Sequence, residues 1–465
     1  MSAAGQVAIV GGGLAGLAAA AVLAERGVGV ELFEAKRRLG GRTASFQDAT
    51  TGEKFDHCQH VSMDCCTNLA HFARRVGIGH LFRPSKKLTF IDPSRAVHRL
   101  AAANWLPAPL HLLPSFARLA FFSGKEKRAI ARALLALARS RTDGFCDGPT
   151  IGQWLRGHDQ SDEAIERFWG VVLTSALGET VEKAGVHYAR KVFVDAFLTN
   201  RRGYVVETPK VPLDDIYGTR LEQWLATRGA TIHLSSPVSR LIVADGIVHG
   251  VELRGGRARE FRSVVVAAPW RRTAELLRAS NVALDIAENL DRLEPSPISA
   301  VHLWFDRPIT DLPHAALVGR RSQWIFQRGP AETRPCYYQV VISASRELES
   351  LGREQVVDCV VRELQETFPT ARDAVLERAL VVTDPESVFS PVPGVDRWRP
   401  MQKTLVPGLF VAGDWTATGW PATMEGAVRS GHLAAAAVLG VAESSFLAPP
   451  LSRSLLASAL LAGRH

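Results

Sequence analysis

The chain has 465 residues, of which 46% are hydrophobic and 22% charged, a composition that supports a large core and excludes disorder. No uncharged apolar run is long enough to span a membrane. A strand pattern begins within a few residues of the start, so no signal peptide is expected and the chain is placed in the cytoplasm. The net charge of +8 favours an anionic surface as partner, with nucleic acid not expected. Six cysteines without a CxxC pair read as structural thiols, and no metal site is expected.

In chain order, a β-branched run (Val7, Ile9, Val10) meets Gly11, Gly13 and Gly16 and then an Ala/Leu stretch. This is a strand, a tight turn and a helix. Gly11 allows the turn, Gly13 lets the backbone approach a pyrophosphate, and Gly16 permits close helix–strand packing. The amides of Leu14 and Ala15 open the helix toward the anion. The second strand pattern ends at Glu34, followed by Ala35, where a carboxylate can accept ribose hydroxyls. The ordered strand, turn, helix, strand and acid make this a dinucleotide site.

The middle of the chain alternates as strands over residues 232–269, with turns at Asp245-Gly246 and Gly255-Gly256. Near the end, an apolar strand stops at Gly413-Asp414 before Gly419, Trp420, Pro421, Met424, Glu425, Gly426 and Ala427, a turn and helix start. Residues 100–140 mix Trp105, Leu110 and Leu113 with Lys125, Lys127 and Arg128, and Leu451, Leu455, Leu456, Leu460 and Leu461 fall on one face of a terminal helix. Two basic amphipathic segments predict a peripheral membrane contact.

Arg37, Arg38, Gly40, Gly41 and Arg42 resemble the glycine doublet of flavoproteins in the amine oxidase and phytoene desaturase superfamily. That resemblance implies FAD rather than NAD, with the doublet along the diphosphate and Arg42 near the flavin. It also implies that Asp414 accepts hydrogen bonds from the ribityl chain, that the backbone at 421–427 faces the isoalloxazine, and that Val238 touches the adenine. The implied fold is α/β: a Rossmann-type FAD-binding domain assembled from discontinuous segments, plus an α+β substrate domain with a helical subdomain. The expected boundaries are 1–79, 206–275 and 401–442 for the FAD domain, 80–205 for a helical region contacting substrate and membrane, 276–400 for the substrate domain, and 443–465 for an amphipathic tail.

Asp56, Gln59 and His60, then Cys66-Thr67-Asn68-Leu69 and residues 208–213, resemble the hydroxysqualene dehydroxylases of bacterial hopanoid biosynthesis, the squalene-associated FAD-dependent desaturases. This resemblance spans nearly the whole chain. His57 and Cys58 depart from the family's Asn and Gly, which alters the turn, and Gly178 replaces an Asn expected in the substrate channel. The implied reaction reduces hydroxysqualene to squalene with loss of water. It needs an acid, a reduced flavin and an apolar tunnel.

His60 is the expected acid, or orients it, and Gln59 holds the hydroxyl or flavin edge. Trp169, Phe193, Phe197 and Trp420 are the expected tunnel lining. A single dinucleotide unit is found, so electrons are expected from an external donor or reductase. The rival readings are an oxidative carotenoid-type desaturase, an amine oxidase, and a non-catalytic FAD-binding isoprenoid carrier.

Overall fold

The computed structural model describes residues 6–48, 52–328 and 335–461. Strand Gln6–Val10, apolar throughout its buried part, pairs in parallel with Gly29–Phe33 on one side and Ser263–Val266 on the other. Thr231–His233 and Leu409–Val411 extend these to a five-stranded parallel sheet whose order is Thr231–His233, Gly29–Phe33, Gln6–Val10, Ser263–Val266, Leu409–Val411. Three stretches far apart in sequence therefore share one sheet.

Helix Leu14–Glu25 is buried from Leu14 to Ala24, as a helix apolar on every side must be. It lies against helix Met424–Leu439 so closely that a Cβ on Gly431 would sit 2.3 Å from the Ala15 carbonyl oxygen. Strands Val238–Ala244, Ile247–Leu253 and Ala258–Glu260 form the antiparallel unit expected from the turn pairs, and Asp245 and Gly246 both have positive φ, as a tight hairpin requires.

A seven-stranded sheet runs Leu376–Phe389, Pro295–Phe305, Cys336–Ser343, Trp324–Arg328, His314–Leu317, Leu88–Ile91, Val97–Leu100. Alternation divides its residues. Val301, Leu303, Tyr338, Val340 and Ile342 pack with Val356, Val360 and Leu364 of helix Arg353–Thr367. His302, Trp304, Tyr337 and Gln339 alternate with these residues along the paired strands.

Two expectations are corrected. Residues 80–205 are not simply helical, because Phe82–Ser85, Leu88–Ile91 and Val97–Leu100 are strands, and Leu88–Ile91 pairs in parallel with His314–Leu317. Those four-residue strands carry too little alternation to stand out before the long helical pattern that follows. The terminal leucines do not share one face: in helix Leu455–Leu461, Leu461 packs with Ala457 against Ala138 and Val194, whereas Leu455 is 91% exposed. Leu455 and Leu461 stand about 120° apart around the helix. The last four residues of that tail lie outside the described residues.

His432, in helix Met424–Leu439, is fully enclosed beside Phe72 and His71, and burial, helped by Arg75, pushes its pKa down to about 3. An unfolded histidine takes its proton near pH 6.5. Between 6.5 and 3 only the unfolded chain binds that proton, so this group costs stability as pH falls, about 2 kcal/mol by pH 5. Urea unfolding of His432→Leu at pH 7 and pH 5 should show a smaller acid-induced loss than the parent by about that amount.

Candidate active site

The glycine turn lies at the carboxyl edge of the parallel sheet, where open α/β sheets bind ligands. Gly11 has a φ of +115°, and a Cβ there would lie 2.6 Å from the Ala267 carbonyl oxygen. A Cβ on Gly16 would meet the Gly11 carbonyl oxygen at 2.0 Å, so helix and turn touch directly. Gly13 is different: a Cβ there would meet nothing nearer than Gly41 Cα at 4.0 Å. Its missing side chain leaves space for a ligand rather than for protein. No side chain caps helix Leu14–Glu25, so the amides at Leu14 and Ala15 remain available to an anion.

Gly40 and Gly41 both have positive φ, and the Gly40 amide donates to the Gly12 carbonyl at 2.8 Å. Glu34 accepts from the Gly12 amide (2.7 Å) and the Lys36 amide (2.8 Å), bracing the turn on either side of Ala35. Each oxygen keeps a lone pair for a ribose hydroxyl. Val238 opens the adjoining antiparallel unit, beside a cleft lined by Ser235, Ser236, Pro237, Leu253, Arg254 and Arg257.

Arg42 reaches across to the last parallel strand. Its Nη2 lies 2.6 Å from Asp414 Oδ1, and Nη1 donates to the Ser387 carbonyl at 2.5 Å. Burial opposes the guanidinium charge, yet the Asp414 carboxylate holds the Arg42 pKa above its ordinary value. Gly413 donates to Ser430 Oγ at 2.8 Å. The long helix opens at Met424 with Thr423 as its cap, accepting from the Gly426 amide, while the Ala427 amide returns to the Thr423 carbonyl. Gly426 closes on Pro421, whose carbonyl oxygen would lie 2.8 Å from a Cβ.

Glu425 has a role that its motif did not disclose. Its carboxylate accepts from the amides of Asn68 (3.2 Å) and Leu69 (2.7 Å) and from Asn68 Nδ2 (2.8 Å), capping helix Thr67–Arg75. Burial nonetheless pushes its pKa above the usual carboxylate range.

The loop from Asp56 to His60 is anchored by one buried carboxylate. Asp56 accepts from Ser45 Oγ and the Leu213 amide, both at 2.8 Å, and pairs with Arg328 at 2.5 Å. Arg328 also donates to Gln59 Oε1 at 2.7 Å, and Gln59 Nε2 donates to the His60 carbonyl at 3.0 Å. Gln59 thus helps to hold the loop, with one N–H and one lone pair of its amide left over. Arg328 carried no sequence signal, because it pairs with residues about 270 positions away.

His60 Nδ1 lies 2.9 Å from the Cys58 carbonyl, leaving Nε2 as the outward nitrogen. Burial lowers its pKa, and the nearby Arg42 charge acts in the same direction. His60 is a neutral imidazole at pH 7. The two departures in the loop are explained by packing. His57, pushed down to about 4 by burial and Arg38, offers a neutral nitrogen 3.2 Å from Arg38 Nη2. The Cys58 thiol is pushed up to about 12 by burial and stays protonated.

The aromatic residues divide. Trp169 is fully enclosed, with its indole N–H on Gln160 Oε1 at 3.0 Å, and Phe193 packs edge-on against it. Both are core rather than lining, since a side chain without accessible surface faces no cavity. Phe197 and Phe168 remain half-buried, while Trp324 donates its indole N–H to Ser175 Oγ at 2.7 Å. Trp324, unsignalled in the sequence, links the seven-stranded sheet to the helical region. Trp420 is half-buried and carries the Lys191 ammonium 4.2 Å from its ring centroid. Gly178 ends helix Val171–Leu177 at φ +66°, where a Cβ would strike Val388 Cγ2 at 2.6 Å. The residue therefore faces packed protein at Val388.

The model of flavin containing amine oxidoreductases matches residues 14–439. The chain belongs to that family. It is 26% identical over 453 residues to a 15-cis-phytoene desaturase of Solanum lycopersicum, covering 93% of this chain and 77% of that one. With a probable zeta-carotene desaturase of Synechococcus elongatus the identity is 25% over 496 residues, covering 93% and 98%. Among solved structures, a putrescine oxidase superposes with a TM-score of 0.71 at 16% identity, covering 94% and 99%. An oxidoreductase from Methanosarcina mazei gives 0.70 at 18%, covering 94% and 100%. These two share the fold.

FAD is accordingly the cofactor, and the open space at Gly13, the uncapped helix and the Arg42–Asp414 pair fit it. Removing the Asp56 carboxylate should leave the Arg328 charge without its ion-pair partner. Asp56→Ala is expected to lose about 3–5 kcal/mol in urea unfolding, with Asp56→Ala/Arg328→Met recovering part of that loss.

Proposed function

We propose that this FAD-dependent oxidoreductase acts on a long-chain isoprenoid and reduces hydroxysqualene to squalene with loss of water. The observation that carries the reading is the Asp56–Gln59–His60 loop, the element resembling the dehydroxylases, held beside Arg42 in the cofactor site. Reduced FAD, when bound, supplies hydride. The chain contributes the rest. Half-buried Phe168, Phe197 and Trp324 offer apolar surface to the polyene, and His60 Nε2 meets the hydroxyl. Because His60 is neutral at pH 7, its first service is to accept a hydrogen bond and orient the C–O bond. Proton donation by this residue belongs to lower pH. If His60 carries the proton, kcat should rise as pH falls below 6.5, and His60→Ala should abolish that limb. A flat profile assigns the proton elsewhere.

The kinship with phytoene and zeta-carotene desaturases favours a second reading, oxidative desaturation of a related polyene. Electron flow separates the two. Photoreduced enzyme mixed anaerobically with hydroxysqualene should reoxidise and yield one squalene per flavin. If the flavin stays reduced, while oxidised enzyme bleaches with phytoene, the desaturase reading replaces the first. Electrons for repeated turnover come from an external donor in this proposal.

Peripheral attachment to the cytoplasmic face of the membrane completes the reading. Trp105 is 78% exposed, Leu113 48% and Leu455 91%, and Ser454 Oγ donates to the Ala108 carbonyl at 2.5 Å, joining the start of the terminal helix to the segment between Trp105 and Leu113. No helix among the described residues is long and apolar enough to cross a membrane. The protein should cosediment with phosphatidylglycerol vesicles, and Trp105→Ser/Leu455→Ser should weaken this by about tenfold or more, as expected for losing two buried apolar anchors. Unchanged cosedimentation would remove this patch from the contact.

A further inference from the structure

The turn from Gly413 to Thr418 carries Asp414 but has no ladder of its own to fix it. A side chain from outside does so. Arg399 follows the short helical turn Val395–Trp398, and its side chain is fully enclosed. Nη2 donates to the Asp414 carbonyl (3.0 Å), the Thr416 carbonyl (2.5 Å) and Thr418 Oγ1 (3.2 Å). Nη1 donates to Asp396 Oδ1 (2.8 Å) and to the Tyr188 hydroxyl, which itself donates to Asp396.

Enclosing a guanidinium is unfavourable unless its donors find acceptors. Here the two terminal nitrogens divide the acceptors between them, Nη2 meeting three along residues 414–418 and Nη1 meeting Asp396 and Tyr188, while Nε has no partner among the described residues. The single nitrogen of a lysine ammonium cannot span both sets. Neighbouring groups extend the hold. Gln402 Nε2 donates to Thr416 Oγ1 at 2.8 Å, and Arg429 Nε donates to the Thr418 carbonyl at 3.3 Å. The Phe389 ring, 4.8 Å from the guanidinium, shields it from water.

Tyr188 gives the clamp a wider reach. It lies on helix Val186–Val192, the same helix that sets Lys191 over Trp420. One helix of the helical region thus grips the cofactor turn at two points, through Tyr188 and Arg399 at Asp414 and through Lys191 at Trp420.

We propose that Arg399 is a positioning residue for the flavin: it sets the backbone of the Asp414 turn, and Tyr188 with Asp396 orients its guanidinium from the helical region. Arg399 acts through Asp414, whose carboxylate meets Arg42 across the site. The inference goes beyond the choice of substrate and stands whichever isoprenoid is turned over.

The test measures flavin binding to apoprotein and the visible circular dichroism of the bound flavin, neither of which requires substrate. Arg399→Lys and Tyr188→Phe are the informative variants, because each keeps most of the packing; far-UV circular dichroism and melting of the apoproteins establish that they fold. Arg399→Lys should weaken FAD binding by about 10- to 100-fold, the scale of losing charge-assisted hydrogen bonds, and alter the flavin dichroism. Tyr188→Phe should shift both in the same direction by less. In Arg399→Ala, added guanidinium should restore binding, while the parent should not respond. Folded variants that bind FAD like the parent with unchanged dichroism would overturn the proposal. So would a loss of binding in step with lowered melting and no response to guanidinium.

Discussion

The cofactor site depends on a meeting of segments that the chain keeps far apart. Arg42 follows the first strand–helix–strand unit and Asp414 follows the last parallel strand, 372 positions later, and the two side chains pair at 2.6 Å. Neither strand could place its functional residue without the other. Leu409–Val411 is an edge strand that pairs with Ser263–Val266, which in turn pairs with Gln6–Val10. The parallel sheet therefore acts as the ruler on which the glycine turn at one strand and Asp414 at another are set at fixed separation. Gly431 lets the two helices behind that sheet come together, since a side chain there would strike Ala15.

Three enclosed carboxylates then join the other parts to this frame. Asp56 ties the Ser45–Gln47 and Lys54–Asp56 hairpin to Leu213 and to Arg328 of the seven-stranded sheet. Glu179 receives the Arg346 fork at 2.8 and 2.7 Å together with Ser390 Oγ at 2.6 Å. Burial opposes its charge, but those donors hold its pKa below the usual range. Glu425 caps helix Thr67–Arg75 from the far end of the chain. Such carboxylates add little net stability compared with apolar packing of the same shape, but removing one partner is costly. They specify which surfaces meet.

The interior around the Asp56–His60 loop keeps its histidines neutral. His57 and His302 are both pushed down to about 4, chiefly by burial, and His60 is lowered by burial in the same way. A neutral imidazole both accepts and donates hydrogen bonds without an ionic shell to dismantle. His60 therefore offers hydrogen bonding rather than charge at neutral pH.

Local chemistry determined part of this protein. The turn at Gly11, Gly13 and Gly16, the strand ending at Glu34, the Gly40-Gly41 doublet and the Gly413-Asp414 turn were all legible, because each needs particular residue types within a few positions of one another. The α/β class came with the family resemblance that those motifs carry. Tertiary structure decided what depends on partners hundreds of residues away: Arg328 on Gln59, Arg399 on Tyr188, Glu425 on Asn68, and the strand Leu88–Ile91 on His314–Leu317. It also separated core from lining, enclosing Trp169 and Phe193 while leaving Trp420 and Trp324 partly open. An aromatic residue carries the same letter in either place. Exposure is a property of the assembled layers, and a spacing pattern along one helix or strand holds no information about what the opposite layer brings to it.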